Sequence, residues 1–394
     1  MKQKYSVRKA PARRLSWHDP AVRAVVYQVL IVGLVGLGVW YLVSNTLHNL
    51  AVRNISTGFG FLGREAGFAI GESSIDYRPA DTYSRAITVG LLNTLRVSVI
   101  GVIIATMLGT LLGVARLSRN WLVAKVASAY VEVMRNIPLL LQLFFWYAII
   151  TENMPGPRDA LNPAPGVFLS NRGLKLPSIQ GDALDWVVAA LGLAIVAIVL
   201  IAHWARKRQE ATGTLFPTLR VGLVLLIVFP VVAFFLSGSS LTLDMPELRG
   251  FNFSGGITMS PEFTALLLGL IIYTSAFIAE VVRSGIQAVG QGQWEAAQAV
   301  GLSRGRTLRL VILPQALRVI IPPMTSQYLN LTKNSSLAVA IGYPDIVSVV
   351  NTTLNQTGQA IEGILIIMAA YLTVSLSISV FMNWYNKRIA LVER

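Results

Sequence analysis

Three imidazoles, His18, His48 and His203, fall in separate segments without the spacing of metal ligands, and the chain has no cysteine. No metal site and no disulfide is expected. No nucleophile elbow is present, and the lack of any Gly-Lys dipeptide excludes a phosphate-binding P-loop, so any ATP chemistry must reside on another polypeptide. The remaining chemistry belongs to charged and polar side chains flanking apolar runs. Glu280 and Arg283, three residues apart on one helical face, predict an interfacial ion pair, with a role in opening a pathway as the sharper alternative. Glu132 and Arg135 repeat the spacing at a membrane edge and can pair with each other or with neighbouring helices. Lys333, Asn334, Ser335 and Ser336 follow a Pro-rich segment. At membrane depth they must face a pathway or one another; otherwise they form a solvated loop. Glu362 reads as an external boundary residue.

The elements that position these groups are apolar. The 394 residues are 54% hydrophobic and 13% charged, with a mean hydropathy of +0.60, outside the soluble range. Spans are predicted near 24–43, 90–115, 186–204, 219–237, 262–279 and 363–382. The first follows a basic segment but is too long for a signal core and lacks a cleavage pattern, so it is expected to remain. Two further spans carry weaker signals. Ile137–Ile150 provides fourteen uncharged residues, about 21 Å of helix, and must borrow from the preceding stretch, tilt, or sit where the bilayer thins. Leu317–Thr332, with Pro322, Pro323, Ser326, Gln327 and Asn330, suits a broken helix buried among neighbours. The net charge of +14 is spread over span ends rather than along a polar stripe, which argues against nucleic acid. Lys2, Lys4, Arg8, Lys9, Arg13, Arg14 and Arg23 place the N-terminus inside. Arg116, Arg119 and Lys125, then Arg206 to Arg208, then Arg304, Arg306 and Arg309, mark three inner loops, and Lys387 and Arg388 keep the C-terminus inside. Both termini on one side require an even number of crossings, which eight satisfies.

The densest pattern is Glu295, Ala296, Ala297, three residues, Gly301, nine residues, then Val311, Ile312, Leu313 and Pro314. Gln291 to Val300 reads as a short helix whose small Ala296, Ala297 and Ala299 admit a close partner. Gly301 supplies the left-handed conformation that turns the chain, a second helix can begin near Ser303, and Pro314 breaks the helix at the bilayer. An isolated Glu-Ala-Ala triplet would be a solvated loop. With Gly, Leu and Pro at these offsets, the segment resembles the EAA loop of ABC importer permeases, departing only at Val311. The segment from Tyr130 to Phe144 is similar to the Y-V-E-x-x-R-x-x-P-L-L-x-Q-L-F stretch of permeases for polar and charged amino acids. So are Ala279 to Gln287, Leu313 to Pro323 and Lys333 to Leu337. Together these resemblances cover 88–150 and 262–388. The long N-terminus, with Ser16, Trp17, His18, Asp19 and Pro20, and the inserted helical pair resemble the Q-type membrane subunit of general L-amino-acid permeases.

The resemblance implies an all-α polytopic membrane protein with about eight transmembrane helices, a type I ABC importer (MetI-like) core with an extra N-terminal span and an inserted helical pair. The expected organisation is a basic cytoplasmic segment 1–23, a peripheral span 24–44, a periplasmic loop 45–86 and core spans over 87–150. An insertion 151–261 with two spans follows, then core spans over 262–388 with the coupling loop at 289–314. The implied function is import of L-amino acids across the bacterial inner membrane, non-catalytic in this chain, with ATP-Mg on the partner. Implied partners are ABC ATPase subunits, a second homologous permease subunit, a periplasmic amino-acid-binding protein and membrane lipid. The rivals are an ion-coupled secondary transporter and a channel or non-transporting receptor.

Overall fold

The computed structural model describes residues 20–52, 57–181, 183–214, 216–238, 240 and 242–389. The basic cluster Lys2 to Arg14 and the segment Ser16–Asp19 lie outside the described residues. The helices in chain order are α1 (Pro20–Val52), α2 (Tyr83–Ala115), α3 (Trp121–Asn136), α4 (Leu139–Ala148), α5 (Ala183–Thr212) and α6 (Thr218–Ser237). They continue with α7 (Pro261–Gln287), α8 (Gln291–Ala299), α9 (Arg304–Thr307), α10 (Leu313–Asn334), α11 (Ile346–Thr357) and α12 (Ala360–Ile389). Among the described residues seven helices are long and apolar enough to cross a membrane, or eight if the bent pair α3–α4 counts as one span.

The centre of the bundle is α7, the most enclosed span, and α2 packs along it more extensively than any other helix. Sequence explains the contact. Gly101, Ala105, Gly109 and Gly113 recur every four residues on the buried stripe of α2, so the backbones approach closely. A Cβ at Gly109 would lie 2.6 Å from Ile278 Cγ2, and one at Gly113 would lie 2.7 Å from the Ala279 carbonyl oxygen. Helices α4 and α10 cover other faces of α7, and α12 packs on α10. By contrast α1 has none of its span buried, and α5 packs chiefly on α6.

The weak third span resolves into two helices bent by 103°. Pro138, with φ −54 and ψ 135, stops α3 and starts α4. The second weak span departs from expectation: α10 runs unbroken through Pro322 and Pro323. Its irregularities sit at the ends, a π-helical turn at Leu308–Ile312 and a 3-10 turn at Ser335–Ile341. Pro314 likewise does not break the chain. The widened π turn precedes it and accommodates a ring that would otherwise crowd the carbonyl four residues back.

The two loops flanking the inserted pair contain strands that hydropathy does not reveal: β1 (Leu161–Ala164), β2 (Val167–Ser170), β3 (Gly173–Leu176), β4 (Ser178–Gln180), β5 (Thr242–Asp244), β6 (Glu247–Arg249), β7 (Asn252–Ser254) and β8 (Ile257–Met259). The all-α expectation holds for the membrane body, and this small lobe is added to it. Antiparallel β1-β2-β3-β8 joins both loops, with Leu174 opposite Met259, and β4 pairs β5. Met259 is followed by Ser260, whose hydroxyl accepts from the Phe263 N–H and caps α7. The lobe is thereby attached directly to the start of the central helix.

Candidate functional site

Helix α8 follows α7 at the end of the bundle opposite the lobe. It presents Glu295, Ala296 and Ala299 outward, while Ala297 is buried and Trp294 is half-buried against the main core. Its end is closed as the glycine spacing predicts. Gly301 has φ +75, its N–H donates to the Gln298 carbonyl at 2.9 Å, and the Leu302 N–H donates to the Ala297 carbonyl at 3.1 Å. Ser303 precedes α9 as expected. Gln315 Nε2 donates to Gln293 Oε1 at 3.1 Å, tying α8 to α10. Leu313 is exposed and Pro314 lies in the first turn of α10. The result is a short helix fastened to two long ones, with Val300, 75% exposed, at its tip. Val300 is a surface residue that the Glu-Ala-Ala pattern does not mark.

Glu280 and Arg283 do pair, at 2.5 Å, and the pairing is wider than their spacing indicates. Arg116, at the C-terminal end of α2, also donates to Glu280, and Arg135 of α3 lies 3.8 Å from it. Arg135 thus turns to Glu280 and to the ring of Phe277 at 5.0 Å, leaving Glu132 exposed. One carboxylate therefore joins α2, α3 and α7. Arg116 follows α2 by one residue and carried no sequence signal beyond its place in an inner loop.

The Tyr130–Phe144 stretch acquires a physical account. Tyr130 Oη donates to the Ile272 carbonyl at 3.1 Å and shares a hydrogen bond with Ser275 at 3.0 Å, holding α3 on α7. Across the bend, Gln142 Nε2 donates to the Met134 and Ile137 carbonyls at 3.0 and 3.1 Å, satisfying groups that Pro138 strips of partners. Leu139 and Leu143 enter the core.

Lys333 and Asn334 end α10 rather than forming a loop; Lys333 is exposed and Asn334 half-buried. Ser335 is buried and donates to the Thr332 carbonyl at 2.7 Å, and Ser336 donates to the Lys333 carbonyl at 2.8 Å. Glu362 stands in the first turn of α12, at the span boundary where the sequence puts it, but it is not solvated there. It is buried, and its Oε1 accepts from the Gly58 N–H at 2.5 Å, so it pins the first loop to α12.

The same end carries a polar network that the sequence does not announce. Glu72 pairs with Arg96 at 2.8 Å and accepts from Ser260 Oγ at 2.6 Å. Asn93 Nδ2 donates to the Glu72 and Pro344 carbonyls at 2.8 and 2.9 Å. Asp345 caps α11 by accepting from the Ser348 N–H at 2.8 Å, with Tyr371 Oη at 3.5 Å. Burial pushes the Asp345 carboxyl up to about 7. In the folded chain it therefore holds its proton to a higher pH than in the unfolded chain, and the folded state loses this advantage as pH rises from about 4 to about 7. Asp345→Asn keeps an acceptor for the cap without titrating. Its unfolding midpoint is expected to climb relative to wild type across that interval and to hold a constant lead above it; an equal offset at pH 5 and pH 8 would refute the assignment.

A family described as "Binding-protein-dependent transport system inner membrane component" matches residues 211–391. The chain is 54% identical over 383 residues to a putative amino-acid ABC transporter permease protein, YhdX, of Escherichia coli K12, covering 96% of this chain and 97% of that one. The chain belongs to the amino-acid ABC transporter permeases. The general L-amino acid transport system permease protein AapQ of Rhizobium johnstonii is 51% identical, covering 97% of this permease and 96% of AapQ. The glutamate/glutamine/aspartate/asparagine transport system permease protein BztB of Rhodobacter capsulatus is 45% identical over 96% of each chain. This permease is the multi-span membrane component of an ABC importer, a class that works with ATPase and binding-protein partners. That membership displaces the ion-driven and channel alternatives.

Proposed function

We propose that the permease imports L-amino acids through the bacterial inner membrane, both termini cytoplasmic, and that α8 transmits ATP-driven motion from a separate ATPase. Glu295, Ala296, Ala297, Gly301, Leu313 and Pro314 form the coupling element. ATP-Mg is bound on the partner ATPase, a second related permease subunit completes the membrane body, a periplasmic binding protein delivers substrate at the lobe end, and this chain performs no catalysis. The observation that carries the reading is the exposed α8 knob, braced by Trp294 and by Gln293–Gln315 and closed by Gly301. A short projecting helix suits a groove on another protein. The basic ends Arg116, Arg119, Arg304, Arg306 and Arg309 lie with it and support the cytoplasmic side. The general and acidic amino-acid systems of the relatives support a broad or polar substrate range.

Because the chain has no cysteine, Gln298→Cys at the exposed face of α8 provides a unique thiol. In inside-out vesicles it is expected to cross-link to the ATPase subunit, and in intact cells it should resist an impermeant thiol reagent. Labelling from the outside, or cross-linking to no ATPase, would overturn the proposal.

A further inference from the structure

The inserted pair presents a physical difficulty. Helices α5 and α6 pack closely on each other but on no core helix to a comparable extent. In a bilayer a gap between helices is filled with lipid or protein. At the α8 end of the bundle the gap between this pair and the end of α12 widens into a cavity of about 460 Å³. Its wall is apolar where Val199, Leu200 and Phe216 line it and basic where Arg206 and Arg388 do. His203, Gln209 and Thr218 add polar atoms, and among the described residues no carboxylate lines it.

Charge and aromatic placement fit one occupant. Among the described residues the helix ends near the cavity carry Arg206, Lys207, Arg208, Arg220, Lys387 and Arg388 against the single carboxylate of Glu210. Arg388 lies 4.3 Å over the Trp384 ring and Arg208 5.2 Å over the Trp204 ring. Trp204 in turn meets Phe216 edge-on at 5.3 Å. Indoles stacked with guanidiniums at the ends of apolar helices mark the headgroup level of a membrane. A basic cleft at that depth, flanked by the apolar side chains of Val199, Leu200 and Phe216, has the chemistry to hold an anionic phospholipid.

We infer that the cleft between α5–α6 and the end of α12 binds one anionic phospholipid, with Arg206 and Arg388 on its phosphate and Val199, Leu200 and Phe216 along its chains. The lipid seals the inserted pair to the importer core. The inference takes only the membrane setting and the orientation from the proposed function; it does not require that α8 engage an ATPase.

The test uses the full transporter complex reconstituted in nanodiscs of phosphatidylethanolamine with cardiolipin, extracted in mild detergent and weighed by native mass spectrometry. Wild type is expected to retain cardiolipin in preference to phosphatidylethanolamine. Arg206→Gln and Arg388→Gln should each lower that retention about fivefold. Arg249→Gln, on the exposed lobe at the other end, should not change it. Equal retention by wild type and the double variant would overturn the inference, as would retention of phosphatidylethanolamine alone. So would a cross-link from Gln209→Cys to a second permease or ATPase subunit in place of lipid. Uptake by proteoliposomes of the same complex and lipids separates the two readings, because failure of ATP-driven transport with cardiolipin retained refutes the coupling role alone.

Discussion

Gly301→Val is expected to leave the protein folded and inserted while cutting uptake, and substrate-stimulated ATP hydrolysis, to less than about a tenth of wild type, the effect of roughly 1.4 kcal/mol of misplaced coupling. The glycine is not there for space. A Cβ at position 301 meets nothing within 4 Å, so no neighbour would have to move. What requires glycine is φ +75, which costs an ordinary L-residue about 1–2 kcal/mol and a β-branched one more. The cheapest relief is to rotate position 301 out of the left-handed region. Doing so breaks the Leu302 to Ala297 and Gly301 to Gln298 hydrogen bonds that close α8. Helix α8 would then fray from the end that carries Val300 and change its angle to α9, while the buried bundle, which holds none of these groups except Ala297, is untouched. Gly301→Asn, which tolerates the left-handed region, should retain most transport. Uptake and vesicle ATPase assays on the two variants decide the matter: equal loss in both points to a surface contact, and wild-type behaviour of the valine variant removes the mechanical role from this turn.

The same turn shows what was legible in the sequence. Gly301, the small residues of α8 and the start at Ser303 are local requirements, each met within a few residues, and all appear where their types predict. Long spans facing lipid were legible for a related reason. Hydropathy measures what a helix shows to its surroundings, and α1, α5 and α12 show it on nearly all sides. The failures are contacts made at long range. Arg116 and Glu280 are 164 residues apart, and nothing local distinguishes Arg116 from the other arginines of its loop. Glu362 does stand at the boundary of α12, but its partner, the Gly58 N–H, is 304 residues away and leaves no local sign. Helix α11 is too short and too rich in Asn and Thr to register as a span, yet Ile346, Val349 and Val350, spaced along one face, are buried. In the lobe, strands of three or four residues are too short for alternation to register, and β3 finds β8 only after two intervening spans. Lys175 is the sharpest case: a lysine in a strand reads as solvent-facing, but it is buried, donates to Thr258 Oγ1, and burial pushes its ammonium down. Pro322 and Pro323 misled in the opposite direction. Helix α10 continues through both rings without a break.

Glu280→Gln should have the largest effect on stability of any single polar substitution in the bundle. The carboxylate accepts from Arg116 and Arg283 and lies within 3.8 Å of Arg135, so its loss leaves three guanidiniums facing one another at the junction of α2, α3 and α7. Arg116 is 11% exposed and cannot turn to water as the other two can. Removing one partner of a buried pair costs about 3–5 kcal/mol; with Glu280 itself 26% exposed, roughly 2–3 kcal/mol is the reasonable expectation. Arg135 contributes little to that figure, being 40% exposed and at the long limit of an ion pair, so Arg135→Gln should shift stability by less than about 1 kcal/mol. The decisive comparison is the double variant Glu280→Gln with Arg116→Gln. If the loss arises from stranding the Arg116 charge, neutralising it should recover a large part of the stability, and the cycle will show strong coupling between the two positions. If the glutamate serves only as a helix-surface residue, the two effects will add. The location gives the result a functional edge as well: Glu280 lies two turns before the end of α7, and α7 leads into α8. On the coupling role proposed for α8, the carboxylate that joins α2 and α3 to α7 would make these helices follow motion passed through α8, and a variant that still assembles is expected to hydrolyse ATP without moving substrate.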